Sequence, residues 1–210
     1  MLWLFRHGES LSNAGEATSG YSTIPLTERG HSQAQAIVGV CPQPARIVLS
    51  RYTRARQTAE PMLARFPDIP TEEADIHEFT YLEVGRFDNT SLAQRKPWVD
   101  SYWSKLDPEY CDGPEAETFV EFLTRGRDFL DRAASWSGDT VAFSHEQFIR
   151  VLLLLTMSGW IKSPAELMRR FYAMRMGLPI PNASLVRMEW NQGRWWIGGV
   201  DTSHLSSLTT

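Results

Sequence analysis

The chain has 210 residues, 42% of them hydrophobic and 22% charged, with a formal net charge of −4. That length and balance suit a single globular domain over residues 1–210 with a real hydrophobic core. The acidic balance excludes general attraction to nucleic acid or to anionic membranes, so any bound anion needs positive charge concentrated locally.

The chain opens MLWLFRHGES, and residues 2–6 read as a short buried strand that runs straight into Arg6, His7 and Gly8. A secretory leader would need a basic start, an apolar stretch and a small-residue cleavage site, which this opening does not resemble. In PLTERGHSQAQAIVGV, Thr27 can cap a helix whose Ala34, Ile37 and Val38 recur at helical spacing. Residues 46–50 read as a second strand, and YTRARQTAEPMLARF follows as a helix that Pro61 should kink or restart. The short run Asp75-Ile76-His77 could be another strand.

Residues from about 79 to 113 fit no periodic pattern and read as a lid-like insertion over the sheet edge, shaping a substrate pocket. PEAETFVEFLTRGRDFLDRAASW then gives the longest amphipathic stretch, with Phe119, Phe122, Leu123, Phe129 and Leu130 on one face. Residues 140–144 read as a third strand, EQFIRVLLLLTMSGW as a helix buried nearly all round, and SPAELMRRFYAM as one more. NASLVRMEW and RWWIGGV flank Asn191-Gln192-Gly193 as a closing C-terminal hairpin, and the tail SHLSSLTT reads as frayed. The alternation favours an α/β fold: three layers, a mostly parallel sheet with helices on both faces. The longest apolar run, around Val151–Leu155, is far below the ~20 residues that span a bilayer. Cys41 and Cys111, the only cysteines, are far apart and lack metal-ligand spacing, which fits a reducing compartment. A soluble, cytoplasmic protein is expected.

In open α/β sheets, ligands bind beyond the carboxyl ends of the strands. The three strands end at Arg6-His7, at Ser50-Arg51-Tyr52-Thr53-Arg54 and at Ser144-His145, so histidines and arginines distant in sequence should converge. Such a cluster suits a phosphoryl dianion whose oxygens match the guanidinium fork and whose phosphorus is attacked by an unprotonated imidazole nitrogen.

These residues resemble the histidine phosphatase superfamily, which includes the cofactor-dependent phosphoglycerate mutases. The motifs run in order through nearly the whole chain: RHGES with Asn13, SGYSTIPLTERG, SRYTRARQTAE, HEFTYL and FSHEQFIR. The resemblance implies that His7 is the phosphorylated nucleophile and that Arg6, Arg54 and His145 hold the phosphoryl oxygens. It also implies that Ser10 and Asn13 sit beside the pocket, that Ser19 and Gly20 present main chain to the substrate, and that Gly8 lets the backbone turn closely around the phosphate.

A poor alkoxide leaving group needs a proton donor, which family members supply as a carboxylic acid. Glu78 in HEFTYL is the candidate and Glu83 the rival; neither has the family's usual spacing to a following glycine. Glu146 stands where the family has glycine, and its charge is expected to point away from the phosphate and to start the next helix. Thr23 stands where many members have aspartate.

Other residues keep structural roles. Arg51 and Arg56 cannot share a helix face with Arg54 and read as solvated. His31, His77 and His204 read as helix surface, pocket neighbour and tail, and Trp98, Trp103, Trp195 and Trp196 as packing residues. The expected activity is metal-independent, cofactor-free hydrolysis of a small phosphorylated metabolite through a phosphohistidine. Phosphoglycerate mutase-type transfer and a catalytically silent phospholigand-binding module are the alternatives, and oligomeric state stays open.

Overall fold

A computed structural model describes residues 1–208. Six strands form one sheet in the order β3-β2-β4-β1-β5-β6. β1 (Leu2–Arg6), β2 (Arg46–Ser50), β3 (Thr71–Ala74) and β4 (Thr140–Ser144) are mutually parallel, and β5 (Leu185–Asn191) and β6 (Arg194–Asp201) add an antiparallel edge. β4 lies between β2 and β1 and is buried along its whole length.

Alternation along the strands builds two cores. Leu2, Leu4, Val48 and Ala142 face the apolar side chains of α4 (Phe119–Ala134), α5 (Glu146–Ser158) and α6 (Pro164–Gly177). Phe5, Ile47, Leu49, Val141 and Phe143 pack instead with Ile37 of α1 (Glu28–Ile37) and with Ala55, Ala59 and Met62 of α2 (Thr53–Arg65). Helices therefore cover both faces of a mostly parallel sheet, as the alternation predicts. Thr27 caps α1 by accepting from the Gly30 N–H, and Thr118 and Glu121 form a reciprocal capping box at the start of α4. Among the described residues, no helix is long and apolar enough to cross a membrane.

Several local expectations are corrected. The fourth parallel strand is Thr71–Ala74, a polar TEEA edge strand whose burial does not stand out, and the run Asp75-Ile76-His77 lies in the loop after it. α2 runs through Pro61 as one helix, with no restart there. The segment between β3 and α4 holds a further helix, α3 (Leu92–Lys105), started by a capping box between Ser91 and Gln94. Its pattern is obscured because Pro97 interrupts it and only Arg95, Tyr102 and Trp103 are buried. Aromatic contacts anchor this segment: Phe79 stacks on Phe122 at 4.2 Å between centroids and Trp103 on Phe171 at 5.8 Å.

The hairpin turn is Gln192-Gly193, both at positive φ, with Asn191 already paired to Arg194. Residues Ser203–Leu208 are not frayed but form a 3-10 helix, with Leu205 buried in the core against α1 and α2 and the His204 ring bonded to the Ala183 carbonyl. Thr209 and Thr210 lie outside the described residues.

Candidate active site

The carboxyl ends of β1, β2 and β4 meet, as neighbouring parallel strands must. The His7 N–H continues the β1 ladder by bonding the Ser144 carbonyl at 2.9 Å, and the His7 carbonyl accepts from Ala183. The histidine is thereby fixed at the strand tip with its ring in a cavity of about 480 Å³. Next to it, the Gly8 N–H donates to Thr58 Oγ1 at 3.0 Å. A Cβ on Gly8 would lie 2.5 Å from the Gly30 carbonyl oxygen, so the glycine is required by the close approach of α1. This steric reason stands beside the sequence-based one and was invisible without the fold.

The His7 ring is held at both nitrogens. Nδ1 lies 2.7 Å from the Gly8 carbonyl, an acceptor, so the proton sits on Nδ1; Nε2 then carries the lone pair and accepts from Arg54 Nε at 3.1 Å. Burial, followed by the charges of Arg54 and Arg6, pushes the His7 pKa well below the usual histidine value and keeps the ring neutral. Arg54 enters on the first turn of α2, with its Nη1 bonded to the Tyr21 carbonyl at 2.6 Å. Burial lowers its pKa to about 10, which still leaves it a cation at neutral pH.

His145 lies just beyond β4, fully buried, with its ring centroid 5.1 Å from that of His7. Its Nε2 is 2.7 Å from Ser50 Oγ, while Nδ1 is buried without a partner. The ring is not itself part of the cavity lining but packs behind that of His7. Burial, then Arg54, lowers the His145 pKa well below its usual value.

Glu78 lines the cavity, and its Oε1 accepts from the Phe79 N–H and from the Gln147 N–H in the first turn of α5, both at 3.0 Å. Burial and the nearby Glu146 charge raise its pKa above the usual carboxylate value, with Arg54 and Arg6 opposing. Glu83 lies outside the cavity lining, and its Oε2 accepts from the Glu115 N–H.

Glu146 does start α5, but its carboxylate does not point away. It lines the cavity, 3.1 Å from Arg6 Nη1 and 2.5 Å from Arg150 Nη2. The expected repulsion is offset because two guanidinium groups flank it. Arg6 Nη1 also donates to the Ile180 carbonyl at 2.5 Å.

Ser10 and Asn13 line the cavity, with Asn13 Oδ1 accepting from the Ser10 N–H and Oγ and from Asn182 Nδ2. Ser19 and Gly20 lie outside the lining; the Ser19 hydroxyl instead donates to Asp88 and accepts from the Asn89 N–H, tying its loop to the segment before α3. Thr23 is exposed. Arg51 and Arg56 are exposed, and Arg56 pairs with Glu73. His31 is on the surface, while His77 is buried beside Tyr52, held neutral by burial with its pKa at about 2. None of Trp98, Trp103, Trp195 and Trp196 lines the cavity.

Sequence reading missed Asn182, whose Nδ2 lies 3.2 Å from the His7 carbonyl and 3.3 Å from that of Gly8. It also missed Tyr21, Arg150 and Arg175, which join the lining from distant elements. Arg150 carried a signal, a charge inside an otherwise apolar helix. Among the described residues, no group of three or more His, Cys, Asp or Glu side chains could hold a metal ion.

Comparison with known proteins places this geometry. The adenosylcobalamin/alpha-ribazole phosphatase of Salmonella typhimurium is 28% identical, over 74% of this chain and 80% of its own. A probable phosphoglycerate mutase of Yersinia pestis is 27% identical, over 97% of this chain and 94% of its own. The crystal structure of a putative alpha-ribazole-5'-P phosphatase from Escherichia coli superposes with a TM-score of 0.71 at 23% identity, covering 96% of this chain and 95% of that one. The model of the histidine phosphatase superfamily (branch 1) matches residues 2–202, and the chain belongs to that superfamily.

Proposed function

We propose that the protein is a metal-independent phosphomonoester hydrolase of the cytoplasm, acting on a small phosphorylated metabolite through a phosphohistidine. The observation that carries this reading is the His7 tautomer: Nδ1 faces the Gly8 carbonyl, so the lone pair is on Nε2, where it accepts from Arg54 Nε, and the ring lines a cavity shared with Arg54 and Glu78. In the first step Nε2 attacks phosphorus in line, the P–O bond to the leaving group breaks, and Glu78 gives its proton to the departing oxygen. In the second, water attacks phosphorus, its proton passes to Glu78, the N–P bond breaks and inorganic phosphate leaves. Arg6, Arg54 and His145 hold the transferring oxygens, and the two arginines supply the charge that a metal would otherwise bring. Ser10 and Asn13 border the substrate.

Release of inorganic phosphate from p-nitrophenyl phosphate tests the reading. The wild type should release it in the presence of EDTA, be inhibited by vanadate and form an acid-labile, alkali-stable phosphoenzyme at His7; His7→Ala should lose all three properties. A label on His145, or activity lost to EDTA and restored by Mg²⁺ or Zn²⁺, would overturn it. The similarity to a probable phosphoglycerate mutase keeps a second reading, for which 2- and 3-phosphoglycerate would interconvert without net phosphate release.

A further inference from the structure

The cavity floor carries a carboxylate where a phosphate site has most reason to avoid one. Glu146, about one-third exposed, lies between Arg6, 12% exposed, and Arg150, 1% exposed, at 3.1 Å and 2.5 Å. All three side chains line the cavity that holds His7. Arg150 is committed to this place through Nη2, which also donates to the Leu178 carbonyl at 3.0 Å, while its Nε and Nη1 are buried without partners. A fully buried guanidinium with two donor nitrogens unpaired is costly, and Glu146 is the group that compensates it.

Resting on the function proposed above, we infer that Glu146 is a positioning and charge-balancing residue: it cancels one of the guanidinium charges that line the cavity and fixes Arg6, so that phosphate is held loosely enough to leave. Arg6, Arg54 and Arg150 line the cavity together with Arg95, Lys96 and Arg175, and Glu146 reduces the positive excess that a phosphate dianion meets there while Glu78 is protonated. Without the Glu146 charge, inorganic phosphate would meet an excess cation and become a stronger product inhibitor.

Glu146 also acts on Glu78. The groups facing the Glu78 carboxyl are Arg6 from β1, Arg54 from α2 and Glu146 from α5, with Tyr52 before α2, Tyr81 and the Phe79 and Gln147 N–H donors. The arginines favour the ionised acid; Glu146 and burial favour the protonated form that a proton donor needs. One carboxylate thus serves both ends of the reaction.

The test measures inorganic phosphate binding by calorimetry, which needs no turnover, in the wild type, in Glu146→Gln and in Glu146→Gln combined with Arg150→Gln. Glu146→Gln should bind phosphate on the order of tenfold more tightly at low salt, and the added Arg150→Gln should bring affinity back toward wild type. The basic limb of the pH–rate profile on an alkyl phosphate should move to lower pH in Glu146→Gln. Unchanged or weaker phosphate binding in Glu146→Gln would overturn the inference while leaving the phosphatase reading intact. Phosphate binding absent from wild type and variants alike would overturn the phosphatase reading and the inference with it. If the double variant does not fold, Glu146→Gln alone decides, with circular dichroism checking that it keeps the fold although Arg150 has lost its partner charge.

Discussion

Arg54 Nε donates to His7 Nε2 across 3.1 Å, so the group that holds the phosphoryl oxygens in the proposed reaction also touches the nucleophile before substrate arrives. The contact suppresses protonation of Nε2, because an imidazolium there would face a guanidinium. Arg54 is also a structural bond between α2 and the loop carrying Tyr21, through Nη1 and the Tyr21 carbonyl.

Arg54→Met is therefore expected to lose about 10²–10³-fold in kcat, the usual cost of removing one preorganised donor to developing charge. Arg54→Lys should fall between the two, keeping the charge without the planar fork. The acid limb of kcat/KM should move to higher pH in Arg54→Met as His7 becomes easier to protonate. An acid limb unmoved in Arg54→Met would show that Arg54 does not tune His7.

A second expectation concerns the glycines that bring β1 and α1 together. A Cβ on Gly8 would sit 2.5 Å from the Gly30 carbonyl oxygen, and one on Gly30 would sit 2.1 Å from that of Glu9. Backbone cannot give way as a flexible side chain can, so Gly8→Ala and Gly30→Ala should each cost about 1–3 kcal/mol. Gly39→Ala meets nothing within 4 Å and should stay within about 0.5 kcal/mol. Urea unfolding of the three variants checks the order; equal midpoints would show that the two segments separate readily.

The strand ends were legible because short apolar runs stopped at Arg6-His7 and at Ser144-His145, and parallel topology then forces such ends together. Glu78 was legible as a candidate through its motif, but its place beside the first turn of α5 depends on a contact across 69 residues. The hidden features depend on long-range pairing of residues with no local signature. β3 is polar because one side of an edge strand is wet, and Asn182 reaches His7 from the far end of the chain. Glu146 was misplaced because a carboxylate was weighed against the phosphate alone, without Arg150 one helical turn away.

The buried histidines make stability depend on pH. His7 and His145 both have native pKa values lowered by burial, below the ~6.5 of an unfolded histidine. Above pH ~6.5 neither state carries the proton and the two residues contribute no pH dependence. As pH falls below it, the unfolded chain takes up protons that the native state refuses, and stability declines. Each unit of depression that is traversed costs about 1.4 kcal/mol. Unfolding followed between pH 7.5 and 5 should show this decline, and His145→Gln should make it shallower. Equal slopes in the two proteins would mean that His145 is protonated in the native state.

The last expectation separates Glu78 from Glu83. Glu78 sits in the cavity with its pKa raised, mainly by burial, so near neutrality it holds a proton more readily than an ordinary carboxyl group. Glu83 spends its Oε2 on the Glu115 N–H outside the cavity, and its backbone N–H is bonded to Asp112. An alkoxide with a high pKa cannot leave without a proton, whereas a nitrophenolate can, so removing the acid must harm the two substrates unequally. Glu78→Gln should lose about 10²–10⁴-fold in the phosphorylation step with an alkyl phosphate and far less with p-nitrophenyl phosphate. Single-turnover phosphorylation is the measurement, because the second step also needs the carboxylate and would mask the contrast in steady state. Glu78→Gln should unfold at the same or a higher urea concentration near neutral pH, since a glutamine carbonyl can still accept from Phe79 and Gln147 while burying no charge. Glu83→Gln should behave as wild type on both substrates. The leaving-group-dependent loss appearing in Glu83→Gln instead would move the proton donor to the segment before α3, and its absence from both variants would make His145 the next candidate.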